Sequence, residues 1–123
     1  MNGHNYRKFR LSDKFISQYE DKEVPWGPVG YVTYKRTYAR LLSERDPDAV
    51  GTEEWYQTCR RVIEGMFDMQ KRHVTELGLE WIDSKSQKTA KDAYDRLFNL
   101  KWTPPGRGLW MMGTKFVEER TAA

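Results

Sequence analysis

Arg107 stands between Gly106 and Gly108 within the run Asn99-Leu100-Lys101-Trp102-Thr103-Pro104-Pro105-Gly106-Arg107-Gly108-Leu109-Trp110-Met111-Met112-Gly113-Thr114. A guanidinium presents a planar fork of donors that matches a phosphate or a carboxylate. The flanking glycines permit backbone angles closed to other residues, or close approach by another chain or a ligand. Gly106, Arg107 and Gly108 are therefore the candidate binding residues. The structural alternative is that Arg107 only pins this turn to the helices before it. No catalytic set accompanies them. Cys59, the single cysteine, has no neighbouring base and falls on an apolar helical face, where a thiol behaves as a small hydrophobe. Asp46-Pro47-Asp48 brings two carboxylates together, but without a third ligand it reads as a turn, and no metal site is expected. The sequence contains no glycine-rich phosphate loop, no recognisable nucleophile setting and no Cys/His ligand cluster.

The elements that must hold the Arg107 segment read as helices. Ser12 suits the N-cap of a short helix ending by Lys22, with Phe15, Ile16 and Tyr19 on one face. A turn follows at Val24-Pro25-Trp26-Gly27-Pro28. Residues 30–43 carry Tyr31, Tyr34, Tyr38, Leu41 and Leu42 at helical steps, with Lys35, Arg36 and Arg40 between them. That pattern reads as a core-facing stripe with a solvated basic side, and as a phosphate-binding face only secondarily. Thr52 caps the longest helix, which places Trp55, Cys59, Val62, Ile63, Met66 and Phe67 inward and stops near Gly78. Gly65 in that stripe implies close contact with another helix. Ser84-Lys85-Ser86-Gln87 has capping-box spacing, and the last helix runs to about Leu100. Pro104 and Pro105 then forbid any continuation.

Leu109 to Met112 form a wholly apolar run suited to an interior strand of a parallel sheet. Too few residues follow to supply a parallel partner, since a crossover needs a dozen or more. Taken alone the chain reads as unfinished. Trp110, Met111, Met112 and Phe116 would lack their sheet and leave an exposed apolar patch, with the segment after Trp102 poorly ordered.

Composition sets the outer limits. The 123 residues are 32% charged, 38% hydrophobic and 14% aromatic, which is polar for a globular domain but too aromatic for a disordered one. The net charge of +3 is modest and scattered, so it does not point to nucleic acid. No membrane-spanning stretch or signal-peptide pattern is present, and a lone cysteine makes no disulfide framework. A soluble cytoplasmic protein is the expectation.

Three stretches together resemble a known family. They are Val24-Pro25-Trp26-Gly27-Pro28-Val29-Gly30-Tyr31 running into Tyr34-Lys35-Arg36-Thr37-Tyr38-Ala39-Arg40, then Glu53-Glu54-Trp55 through Arg60-Arg61-Val62, and most specifically Asn99-Leu100-Lys101-Trp102 through Pro104-Pro105-Gly106-Arg107-Gly108-Leu109-Trp110-Met111 and Gly113-Thr114. In that order they resemble the N-terminal region of monomeric class II, adenosylcobalamin-dependent ribonucleoside-triphosphate reductases. The resemblance implies a mainly α fold: a helical N-terminal cap ending in the first segment of a ten-stranded α/β barrel that is otherwise absent. It divides the chain into a flexible basic arm (1–10), the helical region (11–101) and the start of the catalytic barrel (102–123).

By the same resemblance, Gly106 and Gly108 would let the backbone approach the nucleotide, and Arg107 would orient one of its phosphates. An Arg107→Ala enzyme with unchanged Michaelis constant and lowered stability would favour the structural alternative instead. The family uses adenosylcobalamin to raise a thiyl radical that abstracts the ribose 3′ hydrogen, and a cysteine pair supplies the electrons that remove the 2′ hydroxyl, but these cysteines lie beyond the region matched, and Cys59 corresponds to none of them. No catalytic residue is carried over. The complete enzyme would use adenosylcobalamin, ribonucleoside triphosphates and nucleotide effectors. This chain alone would bind no cofactor and would need the remainder of the reductase, in cis or in trans. Two other readings stand beside this one: a small helical nucleic-acid-binding module using Tyr34, Lys35, Arg36 and the basic arm, and a helical partner that regulates a full-length reductase.

Overall fold

The computed structural model describes residues 6–104 and 112–114. Four helices form, α1 (Asp13–Ser17), α2 (Pro28–Thr37), α3 (Trp55–Glu76) and α4 (Asp83–Phe98), with a 3₁₀ turn at Leu42–Glu44. Among the described residues there is no strand, only an isolated antiparallel bridge between Leu41 and Thr52. The mainly helical expectation holds for these residues, while the expected barrel segment falls largely on 105–111 and 115–123, outside them. Among the described residues no helix is long and apolar enough to cross a membrane.

The 22 residues of α3 make a rod of about 33 Å against which everything else packs. Its stripe of Trp55, Cys59, Val62, Ile63 and Phe67 is buried, as the spacing predicts. Ala90, Tyr94, Leu97 and Phe98 of α4 close over it. Phe15 and Tyr19 seal one end against Tyr94 at ring separations of 5.3 and 4.7 Å. Trp26 stacks on Tyr34 at 5.2 Å and leans on Trp55 at 4.8 Å, so the turn before α2 belongs to the core. Buried ring N–H groups need acceptors, and Trp55 Nε1 donates to the Phe98 carbonyl at 3.0 Å.

Both long helices end in the same way. At α3 the left-handed residue is Gly78 (φ +76°), with Leu79 N–H returning to the Val74 carbonyl at 3.0 Å and Gly78 N–H to Thr75. At α4 it is Leu100 (φ +59°), with Lys101 N–H returning to Arg96 at 2.8 Å and Leu100 N–H to Leu97. These are paired Schellman bonds. A leucine accepts left-handed angles only at a cost, here offset by packing its half-buried side chain on the core.

Several boundaries differ from the sequence reading, each for a local reason. Ser12 does cap α1, accepting Phe15 N–H at 3.2 Å, but α1 is only five residues long. α2 stops at Thr37 because Arg40 leaves the helix for Glu53, its carbonyl accepting Glu53 N–H at 2.9 Å and its own N–H donating to the Glu53 carboxylate at 3.0 Å. α3 is capped by Glu54, whose N–H is met by the Gln57 side chain at 2.8 Å, and Thr52 serves the bridge instead. Ser84 is not a cap: α4 begins at Asp83 after Ile82, and Gln87 reaches across to the Arg10 carbonyl at 2.8 Å.

Of the expected basic arm, residues 6–10 are described, and they are not free. Phe9 is 1% exposed and stacks on Phe67 at 5.3 Å. An isolated Phe among Arg and Lys gives no periodic signal, which is why the segment reads as a tail.

Candidate functional site

Beside its apolar stripe, α3 carries a second stripe, Arg61, Glu64, Gly65 and Asp68, at positions i, i+3, i+4 and i+7. All four are buried. Charged residues are almost never fully buried without partners, and here the partners are backbone groups of two chain segments laid along the helix.

The incoming segment, residues 6–11, is held by its N–H groups. Phe9 N–H donates to Asp68 Oδ1 at 2.9 Å and Leu11 N–H to Glu64 Oε2 at 2.8 Å. Alternate residues of an extended chain lie about 6.8 Å apart, and carboxylates one turn apart on a helix about 6.0 Å apart. The two spacings nearly match, so α3 substitutes for a neighbouring strand. Tyr6 Oη donates to Asp68 Oδ1 at 2.7 Å. Its phenol pKa is raised above 10, first by burial and then by that carboxylate. Arg60 and Arg72 balance the acids from the same helix.

The outgoing segment, residues 112–114, is held by its carbonyls. Arg61 Nη1 donates to the Met112 carbonyl at 2.7 Å, and Arg45 Nη2 donates to the Gly113 carbonyl. Arg61, 3% exposed, is fixed in turn by Glu53, with Nε at 2.9 Å from Oε2 and Nη2 at 3.2 Å from Oε1. The Glu53 carboxylate also accepts Thr58 Oγ1 at 2.9 Å and Arg40 N–H, so this buried ion pair is fully hydrogen-bonded. Tyr34 Oη bonds Thr58 and the Glu53 carbonyl, which ties the pair to α2. Burial is the main cause that raises the Tyr34 phenol pKa.

Two glycines let the outgoing backbone come this close. A Cβ on Gly65 would stand 2.5 Å from Gly113 N and 2.7 Å from its Cα. Gly113 itself has φ +77° and lies against the Arg61 carbonyl. Gly65 therefore marks a close approach, as its sequence position implies, but to the 112–113 backbone and not to another helix.

The sequence-derived binding residues Gly106, Arg107 and Gly108 lie outside the described residues, as do Trp110, Met111 and Phe116. Met112 is half-buried against the core and Thr114 is buried, so for these the expectation of a bare, poorly ordered tail does not hold. Sequence reasoning missed Glu53, Arg61, Glu64 and Asp68. The available signal was the polar i, i+3, i+4, i+7 stripe around Gly65, adjacent to an apolar one.

Lys35 of α2 and Arg40 just beyond it are occupied locally. Lys35 Nζ donates to the carbonyls of Thr52 and Glu53 at 3.2 and 2.7 Å and pairs with Glu54 at 3.1 Å. Arg40 pairs with Glu44 at 2.9 Å. Asp46 accepts Asp48 N–H at 3.1 Å, the turn geometry expected of Asp-Pro-Asp. Among the described residues no group of three or more His, Cys, Asp or Glu side chains could hold a metal. A cavity of about 410 Å³ opens beside the 112–114 turn, lined by Lys8, Arg40, Arg45, Arg61 and Thr114 among others. A second, of about 540 Å³, lies between α1 and α3 beside Arg10, Asp13, Arg60 and Glu64. Cys59 is fully buried, and its thiol pKa is pushed well up, first by burial and then by the Glu53 charge.

Comparison with known proteins gives one consistent result. The chain is 39% identical over 107 residues to the adenosylcobalamin-dependent ribonucleoside-triphosphate reductase of Lacticaseibacillus paracasei, covering 86% of this chain and 14% of that one. It is 34% identical over 116 residues to the enzyme of the same name from Euglena gracilis, covering 92% and 15%. A crystal structure of a B12-dependent (class II) ribonucleotide reductase superposes with a TM-score of 0.72 at 33% identity, over 88% of this chain and 14% of that one. The chain thus spans about 15% of the length of the relatives it matches. Residues 11–114, the span from the buried Leu11 to the arginine-held turn, match the ribonucleotide reductase alpha domain, and the chain belongs to that family.

Proposed function

We propose that this chain is the N-terminal helical cap of an adenosylcobalamin-dependent ribonucleoside-triphosphate reductase and acts only with the remainder of that enzyme. The observation that carries the reading is the superposition on a class II reductase across nearly the whole chain and a seventh of its counterpart. In this reading α3 is the platform of the cap. Glu53, Arg61 and Arg45 fix the 112–114 turn, and so fix where the preceding segment with Gly106, Arg107 and Gly108 meets the nucleotide. Arg107 orients a phosphate there. The corrinoid supplies the radical when bound elsewhere in the complete enzyme, which works in the cytoplasm; the reducing thiols also come from that remainder, since Cys59 is sealed in the core.

The nucleic-acid reading gains no support, because Tyr34 and Lys35 are engaged within the chain. The test is replacement of the corresponding N-terminal region of the Lacticaseibacillus paracasei enzyme by this chain. The fusion is expected to reduce ribonucleoside triphosphates with adenosylcobalamin and a dithiol, and the isolated chain to reduce none. A folded but inactive fusion, or turnover by the isolated chain, would refute the proposal.

A further inference from the structure

We propose that the loop of residues 40–52, with Leu41 and Val50 at its face, is the surface on which the remainder of the reductase seats; this rests on the reading just given. Besides Tyr31 and Val32 on α2 and Met69 on α3, two places on the described chain expose large apolar side chains. One is the α3–α4 tip, with Leu77, Leu79 and Ile82. The other is this loop, where Val50 is 91% and Leu41 55% exposed.

Exposed aliphatics on a slack loop would turn inward at little cost, but this loop is braced at its base and at its turn. The Leu41–Thr52 bridge is made by Leu42 N–H donating to the Gly51 carbonyl at 3.0 Å and Glu53 N–H donating to the Arg40 carbonyl at 2.9 Å. The Arg40–Glu44 pair closes the 3₁₀ turn. Hydrogen bonds therefore fix the backbone at Leu41 and beside Val50 while both side chains face outward, which is unfavourable unless something covers them.

Position separates the two patches. Arg45 of the loop donates to the Gly113 carbonyl, and Arg40, Leu41, Leu42 and Arg45 share a cavity wall with Gly113 and Thr114. The loop is thus continuous with the last described residues, from which the relatives' remaining length of about 85% continues. The α3–α4 tip is some sixteen residues further along α3 from Arg61, a rise of about 24 Å. Of the two, only the loop adjoins the path of the chain into the larger body.

Cysteine footprinting tests this. Val50→Cys and, separately, Leu79→Cys are introduced into the isolated chain and into the fusion with the Lacticaseibacillus paracasei remainder. Maleimide modification is followed on the peptide carrying each new cysteine. Cys59 is silent in the native state because it is fully buried. Residue 50 is expected to react at least tenfold more slowly in the fusion than in the isolated chain, while residue 79 changes less than twofold. An active fusion in which residue 50 reacts as fast as in the isolated chain overturns this assignment and leaves the reductase reading standing. Protection of residue 50 in the isolated chain that grows with protein concentration would assign the patch to a second copy, and would overturn it too. An inactive fusion removes the reductase reading and this inference with it.

Discussion

The two segments that lie along α3 are held by opposite halves of the peptide group. Residues 6–11 offer N–H groups to carboxylates, and residues 112–114 offer carbonyls to guanidiniums. The backing also differs. Phe9 and Leu11 anchor the incoming segment with buried side chains, while the outgoing turn lies glycine against glycine with little side chain between. The incoming segment draws on both burial and hydrogen bonding. The outgoing turn relies on one buried ion pair, on Arg45, on the absence of two methyl groups and on lighter side-chain burial at Met112 and Thr114. Strand-like docking with large apolar anchors tolerates some local error; a clamp with light anchors tolerates less.

The largest effect is expected from Arg61→Ala. It leaves Glu53 buried without its cation, and breaking a buried pair in this way costs about 3–5 kcal/mol. Urea denaturation should show a loss of that size, with amides of the 112–114 turn exchanging at the rate of unfolded chain. Asp68→Ala should cost less, about 1.5–3 kcal/mol, for loss of hydrogen bonds to a charged acceptor. Exchange should accelerate at Phe9 and leave the outgoing turn protected. Equal losses at both segments in either variant would show that they are one cooperative unit. Gly65→Ala pushes a methyl into the Gly113 backbone and should cost about 1–3 kcal/mol as overpacking, confined to the outgoing side.

Alkaline pH discriminates in the other direction. The raised phenol pKa of Tyr6 means that the folded state holds its proton more tightly than the unfolded state. Its contribution is fully present below pH 10 and is lost as pH rises beyond that. The outgoing clamp reaches its turn through guanidiniums and not through a phenol. The incoming segment should therefore release first in a pH titration followed by amide exchange or by Tyr6 absorbance. The smallest effect is expected at Trp81, whose buried ring N–H has no acceptor among the described residues. Trp81→Phe should change stability less than Trp55→Phe, which removes a made bond to the Phe98 carbonyl.

The sequence conveyed the helices better than it conveyed what they hold. Trp55, Cys59, Val62, Ile63 and Phe67 repeat at 3.6-residue spacing, and burial follows from that alone. Where backbone bonds to distant residues decide an outcome, local pattern failed. α2 stops early because Glu53, thirteen residues after Arg40, captures the chain. Gln87 looks like half of a capping box yet serves Arg10. The site was legible only in outline. Gly65 announced a close approach but pointed to another helix where Gly113 stands, and the buried acids drew no reading because their acceptor role depends on an extended segment with no periodicity of its own.

Leu100 carries a final consequence. Gly78 would tolerate many headings for the chain that follows it, since glycine is at ease over much of conformational space. Leucine is at ease in little of it, and stays left-handed at residue 100 only while its side chain is gripped by the core. The direction in which the polypeptide leaves α4 is thereby geared to the state of the interior. A disturbance around Leu97 or Phe98 would swing Trp102, with its bond to the Ala93 carbonyl, as a rudder turns a hull.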